Sequence, residues 1–69
     1  MKALEFEYTN WRGVRATRRV FPDAVRWGVT EWHPKPQWLM SAWDADKGVA
    51  REFAMKDMEN IREVAHEAE

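Results

Sequence analysis

EWHPKPQWLMSAWDADKGVAREF, residues 31–53, is the stretch whose reading decides the fold. Its centre, Asp44-Ala45-Asp46-Lys47-Gly48, is a tight hairpin loop, with Gly48 suited to the positive φ of a bulge-type turn. Gln37–Trp43 on one side and Val49–Ala54 on the other then form a strand and its return. Ahead of them, Glu31–Pro36 is a loop. Pro34 and Pro36 push His33 and Lys35 toward extended geometry, so the loop is stiff and presents its side chains.

Working outward, Leu4-Glu5-Phe6-Glu7-Tyr8 alternates apolar and acidic residues, the period of a half-buried strand. Asn10 and Gly13 mark a turn, and Val14–Phe21 resumes the alternation. Pro22-Asp23 interrupts it, because proline cannot donate to a ladder. Ala24–Thr30 is then a short third strand or a bent continuation, with Gly28 suggesting a bulge or close backbone approach. After Ala54, Met58, Ile61, Ala65 and Ala68 follow helical spacing, Val64 widens the stripe, and Asp57 is a plausible N-cap. The expectation is a mainly β fold: a small five-stranded SH3/Sm-like open barrel with one C-terminal α-helix. Strands are expected at about 2–9, 14–21, 24–30, 37–43 and 49–54, and the helix at about 56–67, in one domain spanning 1–69. A flat meander with a packed helix is the alternative.

Composition narrows the class. At 69 residues without cysteine, the chain has neither disulfides nor thiolate metal sites to reinforce a small core, which suits a reducing compartment. It has five tryptophans instead, and a barrel of this size cannot hide every indole. No apolar run approaches the roughly 20 residues of a membrane span, and Glu5 and Glu7 interrupt any signal-peptide core. A soluble cytoplasmic protein is expected. The net charge of −1 conceals a basic middle (Arg12 to Arg51) and an acidic tail from Glu52 onward. The halves either attract each other within one fold or leave a basic surface for an anionic ligand.

The ordered signals resemble a known module. A first strand ending in Tyr8, a turn with Gly13 and an arginine-rich strand closing on Val20-Phe21-Pro22 come first. Trp38-Leu39-Met40, the turn with Lys47-Gly48 and Arg51-Glu52-Phe53 follow. This set is similar to the WYL domain, an Sm-like barrel named for a Trp-Tyr-Leu strand and followed by an Arg-x-Phe element. The similarity covers roughly Leu4 to Ile61. Leu39 stands in place of the tyrosine and Met40 in place of the leucine. The resemblance implies an effector-sensing module of bacterial or phage transcription regulators, here in stand-alone form. Several members are thought to bind nucleic acid, single-stranded in some cases, and a homodimer or a separate partner regulator is compatible with that role. Arg51 matches the arginine of the Arg-x-Phe element.

Candidate residues divide into two sets. The ligand-binding or nucleic-acid-binding set is Arg15, Arg19, His33, Lys35 and Arg51. Arg15 and Arg19 are four residues apart on one strand face, about 13 Å, a spacing that suits two phosphates. The bland reading is a solvated strand face. His33 and Lys35 flank Trp32 as two potential cations beside a stacking ring, although Trp32 itself is read first as a plug over the barrel mouth. Arg51 is equally read as an ion-pair partner. Arg18 shares the Val14-Ala16-Val20 face, so it must lie at a mouth or pair with an acid. The partner-binding set is Trp11, Trp27 and Trp43. Trp38 and Met40 read as core, since Trp38, Met40 and Ala42 form a wholly apolar strand face.

Enzymatic readings find no support in these motifs. His66 is isolated from His33, Asp44 and Asp46 lack the later ligands of a calcium loop, and no phosphate loop, nucleophile elbow or triad order is visible. No metal or cofactor is expected. The function expected is a non-enzymatic binding module for an anionic ligand such as single-stranded nucleic acid. The alternative is a protein-interaction or homo-oligomerisation module built on exposed tryptophans and sheet edges.

Overall fold

Strict alternation over Lys2–Thr9 turns Leu4, Phe6 and Tyr8 to one side and Glu5 and Glu7 to the other, and the whole sheet follows that division. The computed structural model describes residues 2–66. Within them the strands are β1 (Lys2–Thr9), β2 (Arg15–Gly28), β3 (Gln37–Asp44), β4 (Val49–Ala54) and β5 (Met58–Ala65), with a 3-10 turn at Met55–Asp57. They form one antiparallel five-stranded sheet in the order β4-β3-β2-β1-β5.

β2 makes the sheet curl. Its first half pairs with β1 and its second half with β3. Between Pro22 and Ala24 the register shifts, leaving Asp23 as an extra residue at the bend. The expected third strand at 24–30 is therefore the bent continuation of β2. The bulge falls at Asp23 and not at Gly28, whose missing Cβ leaves room for the Arg26 guanidinium. Bending brings β1 against β4, although two strands separate them in the sheet. Phe6 and Phe53 meet edge-to-face at 5.3 Å, Tyr8 and Phe53 at 5.0 Å. The Tyr8 hydroxyl accepts the Ala54 N–H at 2.9 Å. These rings, with Val20, Met40, Ala42 and Met58, are the core. β4 and β5 remain unpaired edges, so the barrel is not closed.

The expected C-terminal helix over 56–67 is replaced by the 3-10 turn and β5; Glu67 and Ala68 lie outside the described residues. Two causes are visible. Glu59, Arg62 and Val64 complete a strand that covers the open side of β1. Asn60, at φ 53°, sits where the β1–β5 register shifts, so two residues oppose one. That inserted residue puts Met58 and Ile61 three apart, which imitates a helical turn.

Trp38 also departs from expectation. Met40 and Ala42 are core, but Trp38 on the same face is 55% exposed. Its cross-strand partner Trp27 and nearby Val25 are similarly open, at 60% and 53%. Leu39, on the opposite face, is buried with its cross-strand neighbour Ala54. Among the described residues, no helix is long and apolar enough to cross a membrane.

Candidate ligand-binding face

The arginines divide by face. On the outer face of β2, Arg19 donates two hydrogen bonds to Glu5, at 3.1 and 2.8 Å. Arg62 of β5 reaches Glu5 at 2.7 Å and Glu7 at 3.2 Å, and Arg15 reaches Glu59 at 2.6 Å. The result is a balanced lattice of three arginines and three glutamates across β2, β1 and β5. Hydrogen bonds from Arg19 and then Arg62 hold the Glu5 carboxyl below its ordinary range. Arg15 and Arg19, expected to grip phosphates, are thus already engaged with carboxylates.

The inner face is different. Register puts Arg18, Asp44 and Arg51 on the same side as the core rings, toward the β3–β4 turn. Asp44 is only 1% exposed. Its Oδ1 accepts the backbone N–H groups of Asp46 and Lys47, both at 3.0 Å, which fixes the turn, and Gly48 takes φ 67° there. Its Oδ2 faces Arg51 Nε at 3.4 Å and Arg18 Nη1 at 3.8 Å, and makes no hydrogen bond. Arg18 Nε is buried and likewise without a protein partner. One carboxylate is set against two guanidiniums that donate it no hydrogen bond.

Beside this cluster the loops assemble an aromatic wall. The first turn is tied by Asn10, whose side chain accepts the N–H groups of Arg12 and Val14, with Gly13 at φ 80°. The second loop is closed by Thr30, which exchanges backbone hydrogen bonds with His33. The curl of the sheet sets these loops side by side. Trp11 and Trp32 stack at 5.0 Å and 10°, and the Arg12 guanidinium lies 5.7 Å from the Trp11 ring centre. His33 Nε2 is 3.4 Å from the Tyr8 hydroxyl. Burial raises the Tyr8 pKa, so the phenol keeps its proton and has one to offer His33. Tyr8, Arg18, Trp32, His33 and Arg51 line one broad concavity.

Of the five expected ligand residues, His33 and Arg51 therefore converge, Arg15 and Arg19 lie on the opposite face, and Lys35 is exposed on the loop after His33. Trp32 does not plug the core; it is half exposed against Trp11. Among the partner set, Trp27 meets Trp38 edge-to-face at 5.6 Å, forming an apolar patch with Val25 and Met55. Trp43 sits on the outer face across from Phe21. All five indoles are between 49% (Trp43) and 60% (Trp27) exposed. Arg12, Arg18 and Trp38 were not in the expected set. Arg18 carried a signal, a charge on an apolar strand face; Arg12 and Trp38 carried none that alternation could reveal. Among the described residues, no group of three or more metal-ligating side chains comes together. Compared with family models, curated proteins and solved structures, the chain gives no match.

Proposed function

We propose that this protein is a small WYL-like binding module, an SH3/Sm-like open barrel whose inner face recognises single-stranded nucleic acid in a regulatory role. The fold part of this reading is supported by the strand order, by β2 serving both halves of the sheet and by the 3-10 turn between β4 and β5. The observation that carries the ligand part is the stacked Trp11–Trp32 pair with Arg12 on it and His33 beside it. Two half-exposed rings held by tied loops are a preformed stacking platform, and base–aromatic stacking contributes about 1–3 kcal/mol per base. Titration of short oligonucleotides at two salt concentrations tests it. Binding should weaken steeply with salt, as phosphate neutralisation requires. Absence of salt-sensitive binding by any oligonucleotide overturns the reading.

A second reading, a protein-interaction or self-association module, is favoured by the Trp27–Trp38 patch, whose exposed surface is almost wholly apolar. Such a patch beside unpaired sheet edges is a recognised association hazard. Light scattering over a concentration series should then give a rising mass that Trp27→Ser abolishes. A monomer at all concentrations removes the self-association form.

A further inference from the structure

The arginine pair on the inner face goes beyond stacking. Arg18 and Arg51 both approach the same oxygen of Asp44, at 3.8 and 3.4 Å, and neither donates it a hydrogen bond. Among the described residues no protein group accepts from either guanidinium. This contrasts with Arg15, Arg19, Arg26 and Arg62, each of which donates to a carboxylate. Two guanidiniums face this one carboxylate in a half-buried setting, where the Arg18 side chain is 18% and the Arg51 side chain 42% exposed; Asp23, Glu31 and Glu52 line the same concavity, and Glu52 is taken by Arg26. Buried donors without acceptors are costly, so such a group calls for an acceptor.

From this geometry we infer a phosphate subsite: Arg18 and Arg51 together bind one phosphate group, and Asp44 is the buried counter-charge that positions both guanidiniums without using their donors. Guanidinium forks match phosphate oxygens in planar, charge-assisted pairs, which a single buried carboxylate already flanked by turn N–H groups cannot offer twice over. The Asp44 role explains an otherwise awkward arrangement. Its Oδ1 is fully engaged by the turn, so the carboxylate cannot swing to take either arginine in a bidentate pair. The group bound is either a backbone phosphodiester or free phosphate. The first source rests on the nucleic-acid reading above; the second does not.

The test uses the full chain and three probes: oligothymidylate, an abasic deoxyribose-phosphate oligomer, and inorganic phosphate. Arg18→Met and Arg51→Met should each lower abasic-oligomer affinity at least about tenfold, the loss of one charged-group contact. Arg15→Met, on the outer face, should leave it unchanged. Asp44→Asn keeps an Oδ1 acceptor for the turn and removes the counter-charge that positions both guanidiniums, so it should weaken binding several-fold. Circular dichroism of each variant confirms that it is folded; Arg18→Lys takes the place of Arg18→Met if the methionine variant does not fold. Equal losses in the Arg15 variant, no loss in either inner variant, or unchanged or tighter binding by Asp44→Asn each overturn the subsite. Oligothymidylate binding that ignores Arg18 and Arg51 overturns the subsite and keeps the nucleic-acid reading. Inorganic phosphate bound through this pair, with no oligonucleotide binding, does the reverse. No binding of any probe overturns both.

Discussion

Two sets of arginines, one on each face of the same sheet, are used in opposite ways. On the outer face Arg15, Arg19 and Arg62 are engaged: each is hydrogen-bonded to a glutamate across the sheet. On the inner face Arg18 and Arg51 are held near one buried carboxylate and donate nothing to it. The difference lies in geometry rather than residue type. Outer-face glutamates have longer side chains, less buried than Asp44, that can adjust to meet a guanidinium. Asp44 is short, buried and locked by its own turn, so it fixes charge without satisfying donors. The lesson is that a count of basic residues says little about ligand binding; what matters is whether their donors are already taken.

The largest test of this contrast is Asp44→Ala. It removes both the turn acceptor and the carboxylate that faces Arg18 and Arg51. Breaking a buried ion pair by deleting one partner costs about 3–5 kcal/mol, about all that a domain of this size is expected to hold. Urea denaturation should find the variant largely unfolded, with Asp44→Asn well above it. If alanine is tolerated as well as asparagine, which also lacks the charge but keeps the Oδ1 acceptor, the turn acceptor is not structural. Next in size is Trp32→Ala, which should cost oligothymidylate about 1–3 kcal/mol of binding and leave abasic-oligomer binding nearly intact. Equal losses on both probes would mean that the aromatic wall acts through the loop's shape and not by stacking. A smaller effect separates the faces directly: Arg19→Met should lower the thermal midpoint slightly while leaving abasic-oligomer affinity untouched, the reverse of Arg51→Met.

Much of the sheet was legible in the sequence because alternation and turn chemistry are local. The strands around Leu4–Tyr8 and Gln37–Trp43, and the turns at Gly13 and Gly48, fall where period and turn residues put them. The features that were not legible are set by distant partners. β5 is a strand because β1 needs a neighbour on its open side and Arg62 finds Glu5 and Glu7 there. Its bulge at Asn60 then disguised the period. Trp38 is exposed although its strand face, Trp38-Met40-Ala42, reads as wholly apolar. Arg15 and Arg19 carried the right charge and spacing for phosphates, but Glu59 and Glu5 across the sheet take their donors. Sequence spacing gives the face of a strand; it does not give what lies opposite.

Acid titration sharpens the comparison at its smallest expected effect. The Glu5 carboxyl is held below its ordinary value by hydrogen bonds from Arg19 and then Arg62. A depressed folded-state pKa contributes stability that is fully present above the unfolded value, about 4.3 for glutamate, and is lost as pH falls through the folded value. The wild-type urea midpoint should therefore drop as pH falls below the unfolded value of about 4.3, and Glu5→Gln should make that drop shallower, since its side chain no longer titrates. The pair lies at the sheet surface and is only partly buried, so the difference should be modest and should shrink further in high salt. Phosphate-probe affinity measured at about pH 6, above this window, should be the same in both proteins, because Glu5 faces the opposite side of the sheet from Arg18 and Arg51. A Glu5→Gln variant that changes that affinity would mean that the two faces are electrostatically coupled through the sheet, and that the outer lattice helps set the charge of the inner pair.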